Sequence, residues 1–224
     1  MAEWNVLKSM GAGAIMLGLA FGGSAWFRRK GMVRPGSGLL LPWGWEAGFR
    51  QDILQGLRQG VFVFFLVSLL GGLISRFFPA PPHPVEQLLQ GTGTGLERGI
   101  AAGAGIGSRL GPDGEPALST WLLLLFAAAV FAPVAEESFF RGFFLPALAR
   151  RWGWTKAIHG TAFVFAAMHG DPYRFLPLYV AGYWLGLVVS REGTILPAIV
   201  AHAVWNLIGL GFIYLGLLYM GWIG

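Results

Sequence analysis

Apolar residues fill most of this chain in long stretches that polar residues interrupt only briefly. The stretches that could span a membrane are approximately Met10–Phe27, Gly60–Phe78, Ser119–Arg151, Thr155–His169, Phe175–Ser190 and Leu196–Trp222. They lack the period-two alternation of a barrel strand, and they approach the ~20 residues that a helix needs to cross ~30 Å of hydrocarbon. The pattern therefore predicts an all-α fold, a polytopic transmembrane helical bundle of about six to eight helices.

The amino-terminal part of the chain has a less regular pattern than the rest. Besides two of the predicted spans, residues 1–118 contain Phe49–Arg58, which alternates apolar and polar faces at helical spacing and is predicted to lie at the membrane interface. Glu86–Ser108 is rich in glycine and could be a loop or a closely packed helix. We therefore distinguish an amino-terminal membrane region, 1–118, from a helical core, 119–224, within a single integrated membrane domain.

Composition agrees with a membrane protein. The 224 residues are 55% hydrophobic and only 12% charged, with a mean hydropathy of +0.60, whereas about a quarter of the residues in a soluble domain are charged. The formal net charge of +5 fits the basic flanks of membrane spans. No basic run is interleaved with aromatic residues in a soluble segment, so we expect no nucleic-acid partner. The absence of cysteine excludes disulfides and thiolate chemistry.

Two adjacent glutamates, Glu136 and Glu137, interrupt an apolar stretch, and Arg141 follows. A charged side chain at bilayer depth costs about 2.5 kcal/mol or more, so two carboxylates imply partners, water or a chemical task. Glu137 and Arg141 are (i, i+4) neighbours, whereas Glu136 lies ~140° around the helix from Arg141. We predict that Glu137 pairs with Arg141 while Glu136 faces a cavity; alternatively, both carboxylates only neutralise Arg141. Pro133 is predicted to kink this helix and to leave the carbonyl of Ala129 in need of another donor.

Two further pairs at (i, i+4) spacing stand in later spans, Phe165 with His169 and His202 with Asn206. Alone, the first would suit a histidine at a helix end and the second an interhelical hydrogen bond. Counted at ~1.5 Å per residue from the basic inner ends of their helices, four polar side chains lie ~17–23 Å deep. These are Glu136, His169, His202 and Asn206. Their common depth predicts one site within the membrane.

This set of side chains suits hydrolysis. A carboxylate can take a proton from water, a histidine can position that water, and a second histidine with an asparagine can donate hydrogen bonds to a developing oxyanion. A glutamate with two histidines also resembles a zinc ligand set. The spacing is not the helical H-E-x-x-H signature, so a metal does not follow from the pattern.

The ordered motifs resemble those of the CPBP family, the CAAX proteases and bacteriocin-processing proteins that are also called the Abi family. The motifs are E-E-x-x-F-R at residues 136–141, F-x-x-x-H at 165–169 and H-x-x-x-N at 202–206. The resemblance covers about Ser119–Trp222. That family includes the type II CAAX prenyl endopeptidases, so the resemblance implies an intramembrane endopeptidase.

Carried over to this chain, the resemblance implies a role for each motif residue. Glu136 would activate water, His169 would help to hold it, and the oxyanion would be stabilised by two residues of the last helix, His202 and Asn206. The supporting neighbours would be Glu137, Arg141 and Phe165. Either a divalent metal such as zinc is bound by Glu136, His169 and His202, or the mechanism is metal-independent.

The resemblance also implies the setting of the reaction. The substrate would be a membrane-associated peptide or protein, for which a prenylated CAAX-type peptide is one option. We expect an integral, multi-pass protein that contacts membrane lipids, in a prokaryotic plasma membrane. Two other functions remain open from the residues themselves: a non-catalytic immunity or scaffold protein that uses the polar cluster for interhelical hydrogen bonds, and an ion or proton pathway, which intramembrane Glu and His residues can also mark.

Overall fold

The computed structural model describes residues 15–22, 48–79, 122 and 125–219. Within these ranges the chain is helical and contains no strand, which confirms the predicted all-α bundle. The helices are α1 (residues 15–22), α2 (Phe49–Ser75), α3 (residues 125–152), α4 (Trp154–Met168), α5 (Phe175–Glu192) and α6 (Leu196–Tyr219). The predicted glycine-rich segment Glu86–Ser108 lies outside the described residues, as do most residues of the first predicted span.

Helix α2 is longer than the sequence pattern predicted. The interfacial segment Phe49–Arg58 and the following span form one continuous helix, Phe49–Ser75. No proline stands between these two parts, and Gly60 does not end the helix because it is packed against a neighbouring helix. Phe49–Ser75 and Leu196–Gly216 are the two helices within the described residues that are long and apolar enough to cross a membrane.

The closest helix contact joins α2 to α6. A Cβ atom at Gly56 would lie 2.5 Å from Cβ of Val200, and one at Gly60 would lie 2.6 Å from Cβ of Val204. The Gly-x-x-x-Gly spacing places both glycines on one helix face and allows the two backbones to approach closely. Because residue numbers rise together along the contact, α2 and α6 run in the same direction.

Helix α3 alternates between two kinds of helical turn. π-helical Ala127–Phe131 and Ser138–Phe144 alternate with α-helical Ala132–Glu137 and Leu145–Trp152. A π turn joins residues five apart instead of four, so it changes the direction in which the following side chains point. The two glutamates lie at the end of the α-helical turn between the π segments.

The remaining helices enclose the middle of α3. Helix α4 packs against α5 and the last part of α3, and α6 packs against the first half of α3. Gly153, between α3 and α4, has a φ of 78°, and Gly193, after α5, has a φ of 71°, a region that L side chains rarely adopt. These turns let α3, α4, α5 and α6 surround one polar centre.

Candidate active site

The polar motif residues meet at a cavity of about 480 Å³. Four of its lining side chains are those that the sequence placed at one depth: Glu136, His169, His202 and Asn206. They come from α3, from the C-cap of α4 and from α6. His202 is buried, Glu136 and Asn206 are half-buried, and His169 is exposed. The fold therefore brings these four side chains together around one space.

Arg141 and Glu137 form a buried ion pair, as their spacing predicted. Both side chains are 0% exposed, and Nη1 of Arg141 donates to Oε1 of Glu137 at 2.9 Å. Nη2 of Arg141 donates to the backbone carbonyl of Gly182 on α5, also at 2.9 Å. The guanidinium lies 4.7 Å from the centre of the Phe165 ring, within the range of a cation–π contact. These contacts fix the position of the Glu137 carboxylate.

Glu137 also contacts His202, a partner that the sequence did not predict for it. Nδ1 of His202 lies 2.9 Å from the same oxygen, Oε1 of Glu137. A carboxylate accepts hydrogen bonds, so Nδ1 carries the hydrogen and Nε2 is the ring nitrogen left for other contacts. The prediction that Glu137 pairs with Arg141 was incomplete. The spacing of two residues on one helix does not indicate whether a residue of another helix contacts them.

His169 is held by its own helix. Its Nδ1 lies 2.8 Å from the backbone carbonyl oxygen of Phe165. A carbonyl oxygen can only accept, so Nδ1 is the donor, and in the neutral ring Nε2 carries a lone pair. The (i, i+4) spacing that drew attention to this pair is therefore also the spacing of a helix-end hydrogen bond.

Asn206 binds a carbonyl that Pro133 leaves without a donor. Nδ2 of Asn206 donates to the carbonyl oxygen of Ala128 at 2.7 Å. The preceding backbone bond joins the amide of Ala132 to the carbonyl of Ala127, five residues back. In that register the next donor would be residue 133, and proline has no amide hydrogen.

The sequence had predicted a free carbonyl at Ala129, and the carbonyl that Asn206 binds is that of the preceding residue, Ala128. The prediction assumed a regular α-helix, in which the partner of residue 133 lies four residues back. In the π turn that the structure contains, the partner lies five residues back, at Ala128. The physical consequence, a carbonyl that needs another donor, is the expected one.

Glu136 lies beside this network without being bound by it. It lines the cavity, and its Oε2 is buried with no hydrogen-bond partner among the described residues. Glu136 and Glu137 are adjacent in sequence but differ in surroundings, since only Glu137 accepts from Arg141 and His202.

Aromatic rings hold the two histidines in place. Phe165 is fully buried, and its ring centre lies 4.8 Å from that of His169 and 6.0 Å from that of His202. Trp205 stacks on His202 with 5.4 Å between ring centres and also lines the cavity. The sequence analysis did not single out Trp205, although its place just before Asn206 was a signal.

A charged pair on the turn after α4 was also missed. Asp171 accepts hydrogen bonds from the backbone and the guanidinium of Arg174, and both residues line the cavity. Burial by itself raises the pKa of Asp171, but the hydrogen bonds from Arg174 outweigh it, so the pKa lies below its usual value. Asp171 is therefore ionised at neutral pH and keeps Arg174 at the cavity wall.

The alternative in which zinc is bound by Glu136, His169 and His202 stays a prediction. In the part of the chain that the structure describes, no group of three or more His, Cys, Asp or Glu side chains is placed to hold a metal ion. The spacing of residues along helices could not reveal this, because it does not give the distances between side chains of different helices. The chemistry considered below uses no metal.

Comparison with known proteins identifies a protein family that part of the chain resembles. Residues 118–208 match the family model described as Rce1-like, type II CAAX prenyl endopeptidase Rce1-like. No curated protein and no solved structure matches the chain significantly. The match confirms the predicted resemblance to the CAAX protease family over these residues, and that family consists of membrane-embedded proteases. All of the motif residues discussed above lie within the matched range.

Proposed function

Because residues 118–208 match the type II CAAX prenyl endopeptidase family, we propose that this protein is an intramembrane endopeptidase with its active site at the described cavity. The observation that carries the proposal is the meeting of Glu136, His169, His202 and Asn206 around one space, beside a buried network that fixes His202. The bond to be hydrolysed is a peptide bond of a membrane-associated substrate.

Glu136 is the proposed base. It is a cavity-lining carboxylate to which neither Arg141 nor His202 donates, so it can accept a proton from a water molecule in the cavity. Nε2 of His169 accepts the second hydrogen of the same water and orients its oxygen toward the substrate carbonyl. A positioned general base contributes about 10²–10⁴-fold to the rate.

Asn206 and His202 are the proposed oxyanion donors. The amide of Asn206 has two hydrogens, and only one is needed for the carbonyl of Ala128. Nδ1 of His202 is engaged by Glu137, so Nε2 can donate only when the ring is an imidazolium. In that form both ring nitrogens donate, Nδ1 to Glu137 and Nε2 to the oxyanion.

The reaction then proceeds in two steps. The water oxygen attacks the carbonyl carbon while Glu136 takes the proton, and the negative charge on the carbonyl oxygen is met by Asn206 and His202. The carbon–nitrogen bond then breaks, and Glu136 returns the proton to the leaving nitrogen. The products are a carboxylic acid and an amine, which exchange the remaining proton to become a carboxylate and an ammonium group, and Glu136 is again ionised.

A prenylated CAAX-type peptide is the proposed substrate, since the matching family model carries that activity in its description. Two helices that line the cavity, Phe49–Ser75 and Leu196–Gly216, are long and apolar enough to cross a membrane, which supports a site within the membrane. We propose that the chain crosses the membrane several times and acts on the lipid-attached end of its substrate.

The test is cleavage of a farnesylated CAAX-type peptide by the purified protein in liposomes. We expect Glu136→Gln to lower kcat at least 100-fold, because an amide cannot take the proton from water. His169→Ala, His202→Ala and Asn206→Ala should each lower kcat, by about 10²–10³-fold where an oxyanion donor is lost. The matched control is Glu192→Gln, the same change at an exposed glutamate whose described partner is Gln55.

Two results would contradict the proposal. If Glu136→Gln retained activity within 10-fold of the unchanged protein, Glu136 would not be the base. If the unchanged protein in liposomes cleaved no farnesylated peptide, the proposed activity on this substrate class would be wrong.

A further inference from the structure

The cavity has an apolar side next to its polar side. Besides the four polar motif side chains, it is lined on α2 by Val67, Ser68 and Gly71 and on α6 by Gly209, Leu210 and Ile213. Of these six residues only Ser68 carries a polar side-chain group, and the other five cannot take part in proton transfer or charge stabilisation. This side of the cavity therefore needs an explanation other than the hydrolysis step.

The polar and apolar sides lie on one continuous face of α6. His202, Asn206, Gly209 and Ile213 follow each other at three- and four-residue spacing, which keeps them on one side of the helix. At ~1.5 Å per residue, Gly209 to Ile213 lie about 5–10 Å along the axis from Asn206. An extended peptide advances about 3.3 Å per residue. A peptide whose reacting carbonyl lies at Asn206 would thus place a residue two or three positions away beside Gly209 and Ile213.

Two glycines leave this part of the cavity open. A Cβ atom built on Gly71 or Gly209 meets no atom of the described residues within 4 Å. Gly56 and Gly60, on the same helix as Gly71, differ sharply, since a Cβ atom there would collide with α6. The glycines near the start of α2 serve helix packing, whereas Gly71 and Gly209 bound free space.

We propose that the side of the cavity bounded by Gly71 and Gly209 is a subsite for a bulky apolar side chain of the substrate, and that these two glycines set its size. The inference rests on the proposed endopeptidase function and adds to it the residues that select among substrates. An apolar wall discriminates by size, and each methylene group that fits or fails to fit changes kcat/KM by about 10–200-fold.

The experiment reduces the volume of the subsite by replacing its two glycines with larger residues. Gly71→Leu and Gly209→Leu each add a side chain that points into open space, and Gly71→Ala and Gly209→Ala add a smaller one. The matched controls are Gly72→Leu and Gly211→Leu, which change a neighbouring glycine that also has nothing within 4 Å but does not line the cavity. All proteins are assayed in liposomes.

The substrates are farnesylated CAAX-type peptides in which each of the three residues after the modified cysteine is, in turn, Ala, Leu or Phe. The measurement is the ratio of kcat/KM for the Phe peptide to that for the Ala peptide. At one of the three positions we expect this ratio to fall at least 10-fold in Gly71→Leu and Gly209→Leu, and to stay within twofold of the unchanged protein in Gly72→Leu and Gly211→Leu. The alanine variants should lie between these values.

The outcomes separate this inference from the proposed function. If the unchanged protein cleaves no peptide, the endopeptidase proposal fails. If it cleaves peptides but the ratio is unchanged at all three positions in active Gly71→Leu and Gly209→Leu, the subsite is wrong and the endopeptidase proposal stands. If the leucine variants are inactive on every peptide, the alanine variants decide, and an unchanged ratio in both overturns the subsite.

Discussion

Helix α6 makes two contacts of opposite character. Toward α2 it presents the apolar side chains of Val200 and Val204, which lie against Gly56 and Gly60. Toward α3 it presents His202 and Asn206, which bind a buried carboxylate and a backbone carbonyl. Residues two apart in an α-helix lie about 200° apart around its axis, so the two contacts occupy opposite faces.

The two contacts have different roles: the α2–α6 contact holds helices together, and the α3–α6 contact orients side chains of the proposed active site. In a membrane the hydrophobic effect does not drive helices together, because lipid tails are as apolar as the side chains. The α2–α6 contact therefore depends on close packing. The α3–α6 contact instead buries charged groups, and a buried ion pair gives weak net stabilisation because desolvation opposes the Coulomb attraction. Its benefit is position, since Glu137 and Ala128 orient the two side chains that we propose as oxyanion donors.

We expect the largest effect on stability from breaking the polar contact between α3 and α6. Glu137→Gln removes the charge that Arg141 and His202 share, and leaving a buried charge without its partner costs about 3–5 kcal/mol. Glu136→Gln leaves that network intact and should change the free energy of unfolding by less than about 1 kcal/mol. Chemical unfolding in detergent measures both. Glu137→Gln should also reduce activity less than Glu136→Gln does, and equal effects of the two changes on stability and activity would reject the division of roles.

We expect a smaller effect on stability from disturbing the apolar contact between α2 and α6. Gly60→Ala places a Cβ atom 2.6 Å from Cβ of Val204 and 2.7 Å from the carbonyl oxygen of Ala201, so we expect a loss of about 1–3 kcal/mol from overpacking. Gly72→Ala is the control on the same helix, since a Cβ atom there meets nothing within 4 Å. It should be neutral or stabilising by up to about 1 kcal/mol, because alanine favours a helix over glycine. Thermal unfolding with the same stability for both variants would contradict the close packing of α2 on α6.

We expect the smallest effect from a change that releases only the hydrogen bond between Asn206 and Ala128 in the polar contact. Pro133→Ala supplies an amide hydrogen for the carbonyl of Ala128, so that carbonyl no longer holds the Asn206 amide. We expect kcat to fall about 10-fold, or about 1.4 kcal/mol, with KM changed less than threefold. A double-mutant cycle tests the path, because Pro133→Ala should have no further effect when Asn206 is already alanine. Fully additive effects of the two changes would show that Pro133 does not act through Asn206.

The sequence predicted the parts of the site that depend on one helix at a time. The Glu137–Arg141 pair followed from the (i, i+4) spacing, and the meeting of Glu136, His169 and His202 followed from their equal depth. Both arguments need only the rise and the turn of a helix. They could not identify the second partner of Glu137 or the π turns of α3, because these depend on how separate helices are rotated against each other.

The glycines of α2 likewise show that the sequence does not reveal contacts between helices. The sequence contains Gly56, Gly60, Gly71 and Gly72 on one helix; the Gly-x-x-x-Gly spacing marks the first two, but no local feature distinguishes Gly71 from Gly72. In the folded chain two of them touch α6, one bounds the cavity and one lies outside it.

The amino-acid sequence by itself therefore determined an all-helical chain and which polar groups meet at one cavity. Both follow from composition and from the periodicity of single helices, whereas the resemblance to the CAAX protease family rests on the ordered motifs. Only the tertiary structure decided that Glu137 joins Arg141 to His202, that Asn206 binds Ala128, and which glycines are packed and which bound a cavity. These depend on distances between helices, which are set by side-chain packing across the whole bundle.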